Sequence, residues 1–124
     1  MNKPEAATAT CADRDGRFWR QPAPAPLRPW VQAFLARKAH APRERVTIFP
    51  NAQPELFFHF GSGHFASTHC GAPLAPLAPA CLLAPRLRSY EHGYGPQVDW
   101  FLIQLTPRGC RQLLGTPMAA LLGN

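Results

Sequence analysis

Fifteen of the 124 residues are proline, and nothing else in the chain limits its folding as much. A proline fixes φ and removes a backbone donor, so it is excluded from helix interiors and from central strands. Long helices are therefore excluded. No stretch approaches the roughly 18 to 20 unbroken apolar residues that a membrane helix needs. Short elements between prolines are what the chain can build, and its length suits one compact domain. Hydrophobic residues make up 46% and charged residues 16%, enough apolar surface to form a core.

Met1 to Gly16 is small and polar with no apolar period, and reads as a flexible N-terminal arm. The folded domain is expected over 17–124. Phe18 and Trp19 start a short edge strand ahead of the extended path of Pro22-Ala23-Pro24-Ala25-Pro26. Leu27 to His40 carries two periods: Trp30, Val31, Phe34 and Leu35 recur at helical spacing, whereas Val31, Ala33 and Leu35 alternate. The reading is a short helix over Leu27 to Gln32, then a strand to about Lys38. Val46 to Phe49 and Glu55 to Phe60 read as strands, and Gly61-Ser62-Gly63 predicts a hairpin returning through His64 to His69. Gly71 to Pro79 holds three prolines and reads as a loop, pinned by Leu74 and Leu77. Ala80 to Ala84, Leu87 to His92 and Gln97 to Leu105 supply three further strands, which makes a barrel or sandwich. Thr106-Pro107 and Leu113-Leu114-Gly115 are the start and stop of a short helix, and Thr116-Pro117 with Met118, Leu121 and Leu122 marks a second.

Charge and cysteine use narrow the function classes. The net charge of +6 suggests nucleic acid, but the excess is scattered over the N-terminal forty residues and isolated arginines. Neither a basic recognition helix nor basic residues interleaved with aromatics are present. Cys11, Cys70, Cys81 and Cys110 contain no CxxC pair, so no zinc ribbon or thioredoxin-like site is written. An apolar signal region is missing from the first thirty residues, which makes the expected location cytoplasmic and the thiols free.

Three stretches in order resemble one protein family. Pro26-Leu27-Arg28-Pro29-Trp30-Val31 is similar to its opening P-x-L-x-P-[YW]-V. Arg43-Glu44-Arg45-Val46, with Phe49-Pro50-Asn51 and Glu55 to Gly61, is similar to ERVLPDGxxELIFNLG. Phe101 to Cys110 with Leu113-Leu114-Gly115-Thr116-Pro117 is similar to F-x-V-x-F-x-P-G-G followed by L-L-G-x-P. The chain thus resembles the N-terminal half of AraC/XylS-type bacterial transcription regulators, in the subgroup whose first domain is a cupin-like β module. The resemblance implies a mainly β (α+β) fold, a small cupin-like β-barrel with short flanking helices. It also implies an effector-sensing or dimerisation domain of a longer regulator, whose DNA-binding helix-turn-helix half lies downstream of the helices at 107–122. DNA is then a partner only through that downstream half, and the partners of this domain are a small-molecule effector and a second copy. Two departures are Asn51-Ala52-Gln53-Pro54 in place of an Asp-Gly turn, and His59 where the family often carries Asn.

The residues themselves favour a ligand pocket over other chemistry. Glu55, Phe57 and His59 share one strand face, opposite the apolar Leu56, Phe58 and Phe60, and Trp100, Leu102 and Gln104 share a face on the last strand. His59, Trp100 and Gln104 are the candidate ligand-binding residues. The plainer alternative is that Phe57 and Trp100 are core while Glu55 and Gln104 face solvent. His59, His64, His69 and Cys70 invite a metal, but the chain has no HxH pair and His69 and Cys70 point to opposite faces. No metal or cofactor is expected. Cys70, Cys81 and Cys110 lie in apolar or proline-rich contexts without G-x-S-x-G or papain-like surroundings, so no catalytic residue is assigned and no enzyme is expected. The other functional reading is a stand-alone cupin-like protein binding a small molecule or a metal.

Overall fold

The computed structural model describes residues 18–40, 44–48, 53–61, 63–67, 70–85 and 88–115. In chain order its elements are β1 (Phe18–Pro22), a 3-10 turn (Ala25–Leu27), β2 (Val31–His40), β3 (Glu44–Ile48), β4 (Glu55–His59) and β5 (His64–Ala66). There follow β6 (Ala75–Pro76), β7 (Ala80–Leu83), β8 (Tyr90–Tyr94), β9 (Gln97–Leu105) and α1 (Pro107–Leu114). They form a five-stranded sheet in the order β1-β2-β9-β4-β7 and a four-stranded sheet in the order β3-β8-β5-β6. Every pairing is antiparallel. The fold is mainly β with a short helix, as the sequence predicts, but it is two open sheets and not a closed barrel. The arm over 1–16, His69 and the second helix expected around Met118 to Leu122 lie outside the described residues. Among the described residues no helix is long and apolar enough to cross a membrane.

Two local expectations are corrected. The helix expected over Leu27 to Gln32 is only the 3-10 turn, closed by Leu27 N–H to Pro24 O and Trp30 N–H to Leu27 O, each at 2.9 Å. The carbonyls of Trp30 and Gln32 accept from Thr106 and Ala23 N–H, each at 3.0 Å, and Val31 pairs with Leu105 of β9, so the alternating pattern takes over at Val31. The hairpin expected across Gly61-Ser62-Gly63 does not form either. Both edges of β4 are occupied, by β9 and β7, so β5 has no vacant edge there and joins the second sheet between β8 and β6. Glycine is needed at this crossing. A Cβ on Gly61 would collide with the carbonyl oxygen of Gln97, and Gly63 has φ of 146°. The proline-rich segment after Gly71 contributes only the two-residue edge strand β6, and Leu77 packs against the inter-sheet core as expected.

The start and stop signals of the first terminal helix are realised as read. Thr106 caps α1 by accepting from Gly109 N–H at 3.0 Å, Pro107 opens it, and Gly115 closes it with φ of 73°. Thr106 also donates its hydroxyl to Pro29 O at 2.7 Å, and Trp30 donates its indole N–H to Gln112 Oε1 at 2.6 Å. The Pro26–Val31 corner is thereby clasped to α1. Gly109 permits the approach, since a Cβ there would collide with the Trp30 carbonyl. Ala23, Val31 and Leu105 form a core at this end, with Phe34, Leu56, Ile103 and Leu114 against it. Thr106→Ala is expected to lower stability by about 1–2 kcal/mol in urea unfolding, because it removes a cap and a tie to Pro29 together. Thr106→Ser should restore most of it.

Candidate ligand site between the two sheets

Alternation along β4 and β9 turns Glu55, Phe57 and His59, and Trp100, Leu102 and Gln104, toward the second sheet. The register pairs Glu55 with Gln104, Phe57 with Leu102, and His59 with Trp100. Phe57 stands at the centre and is fully buried. Its ring centroid lies 4.5 Å from that of His64 on β5, 6.1 Å from His92 on β8, 5.9 Å from Trp100 and 5.9 Å from His59. The sheets therefore meet through one phenylalanine surrounded by three imidazoles and an indole.

The imidazoles are hydrogen-bonded. His64 and His92 are both buried, and Nε2 of His64 lies 2.8 Å from Nδ1 of His92, so one nitrogen donates and the other accepts. Burial, reinforced by repulsion from His92 and His59, pushes His64 down to about 3, so it is neutral at physiological pH. His59 lies 5.8 Å from His64 by ring centroids and its Nε2 is 3.2 Å from Leu77 O. A carbonyl only accepts, so that bond requires the proton on Nε2 of His59. Among the described residues no three His, Cys, Asp or Glu side chains are arranged to hold a metal ion. Cys81, paired with Phe57 across β4 and β7, is pushed up by burial and so stays a thiol.

Of the residues expected to bind a ligand, the structure brings two together. His59 and Trp100 are cross-strand neighbours, and Trp100 meets Phe18 edge-on at 6.0 Å. Gln104 is four residues further along β9, roughly 13 Å away, and donates to Glu55 Oε2 at 3.1 Å. Among the described residues the indole N–H of Trp100 and the amide oxygen of Gln104 are both buried without a hydrogen-bond partner. A buried donor left unpaired costs roughly 1–3 kcal/mol, which a ligand acceptor at Trp100 would recover. His92 escaped the sequence reading because its pairing with the β5 region is set by strand order. Its only local signal was its place in an alternating strand with Tyr90.

Fold and site together define an antiparallel two-sheet domain with an aromatic and imidazole-rich interior. The sequence profile of the family described as "Domain of unknown function (DUF6597)" matches residues 20–124, and the chain belongs to that family. No curated protein and no solved structure matches it.

Proposed function

We propose that this domain is the regulatory N-terminal module of an AraC-type transcription factor, sensing a small effector or mediating dimer contacts. The observation that carries this reading is that the Pro26–Val31 stretch, the Glu55–Gly61 part of the second stretch and the Phe101–Gly115 part of the third meet in one mechanical unit. The Pro26–Val31 corner is bonded to α1 through Thr106 and Trp30, β4 lies beside β9, and β9 runs through Thr106 directly into α1. A ligand seated against His59 and Trp100 presses on β4 and β9, and displacement of β9 is carried into α1 and onward to a downstream DNA-binding half. Such coupling requires only that the ligand favour one of two arrangements of α1. In this reading the protein is cytoplasmic and has no catalytic residue.

Two measurements test it. Sequencing the native gene past the Asn124 codon is expected to show two helix-turn-helix motifs in frame, and this domain alone is expected to show no salt-dependent affinity for DNA. A stop codon directly after Asn124 would overturn the regulator reading and leave a stand-alone binding protein.

A further inference from the structure

A different cluster occupies the opposite face of the five-stranded sheet, at the end away from α1. Alternation places Trp19 of β1, Lys38 of β2 and Asp99 of β9 on this outer face. With Ala39, Val98 and the cross-strand pair His40 and Gln97 they line a groove of about 470 Å³, within the usual size range of small-molecule sites. Lys38 and Asp99 are directly opposed in the register, with Nζ and Oδ2 4.0 Å apart and side chains 77% and 31% exposed. An ion pair so long and so exposed adds little to stability. Both charges can accept a further partner, and Trp19, 40% exposed, offers an aromatic surface beside them.

We propose that this groove binds a small zwitterion with an apolar side chain, of the α-amino acid class. A simple anion attracted by Lys38 also meets Asp99, and a simple cation attracted by Asp99 also meets Lys38. Only a molecule carrying both charges satisfies both residues. The ammonium and carboxylate of an α-amino acid lie roughly 3 Å apart, close to the spacing of this pair. Laid alongside, they complete a ring of four alternating charges: carboxylate on Lys38 Nζ, ammonium on the Asp99 carboxylate. The apolar side chain then covers the Trp19 indole. The groove faces away from His59 and Trp100, so the proposal stands apart from the regulatory reading.

Calorimetric titration of the whole chain with L-phenylalanine, N-acetyl-L-phenylalanine and L-phenylalanine amide tests this. Saturable binding of phenylalanine is expected, with each blocked analogue about fivefold or more weaker. Lys38→Met should abolish discrimination against the amide alone, and Asp99→Asn discrimination against the N-acetyl form alone. Both changes are at solvent-accessible side chains, and an unchanged melting temperature verifies that the fold is kept. No saturable heat with phenylalanine, equal affinity for all three compounds, or unaltered discrimination in both variants would overturn the proposal.

Discussion

Replacing Phe57 with Ala is expected to lower unfolding free energy by about 3–5 kcal/mol, a large share of what a domain of this size possesses. The side chain is fully buried and joins the sheets by touching His64 and His92 on one side and Leu83, Leu102 and Trp100 on the other. Its loss removes apolar burial and leaves a cavity whose walls are strands held by their own ladders, which limits collapse. It also exposes the buried imidazole pair to water. Phe57→Leu keeps much of the volume and should cost about half as much. Chemical denaturation followed by circular dichroism reads both, and a loss below about 1 kcal/mol for the alanine variant would show that the sheets do not pack through this residue.

Acid should loosen the same contact. His64 is neutral when folded, with its pKa lowered to about 3, whereas in the unfolded chain it takes up a proton near the ordinary 6.5. The unfolded state therefore binds more protons between these values, so the contribution is fully present above 6.5 and is lost as pH falls toward 3. One full proton corresponds to about 1.4 kcal/mol per pH unit, and with the unfolded imidazole half protonated at pH 6.5 this predicts a loss of about 1.6 kcal/mol between pH 6.5 and 5. This window lies above the range in which carboxylates titrate. The hydrogen bond from Arg45, with that from Gly71, holds the Glu91 carboxyl below its ordinary range, so its contribution disappears only in stronger acid. Urea midpoints at pH 7, 6 and 5 measure the slope, and His64→Leu should flatten it by one proton. An unchanged slope in that variant would assign the acid sensitivity elsewhere.

The reach of sequence reasoning follows the range of the interactions. Proline positions, the alternation in β2, β4 and β9, and the Thr106-Pro107 start and Gly115 stop of α1 are legible because each acts within a few residues. The Leu27 to Gln32 segment shows the limit of local reasoning: helical spacing was present, but the carbonyls of Trp30 and Gln32 bond to the distant Thr106 and to Ala23 instead of a helical ladder. Of the candidate site, the shared faces of Glu55, Phe57 and His59 and of Trp100, Leu102 and Gln104 were legible from alternation alone. Which sheet each strand joins was not. A hairpin across Gly61 to Gly63 and a crossing between sheets make the same local demands, and only the filling of both edges of β4 by β7 and β9 excludes the first. That choice brings His92, from 28 residues away, to His64 and sets the β9 register that puts Trp100 beside His59 while leaving Gln104 with Glu55. The sequence by itself determined the strands, their faces and the capped helix, because those depend on backbone geometry near each residue. The meeting of imidazoles around Phe57 was decided only by the tertiary structure, because strand pairing depends on which distant edges are still open.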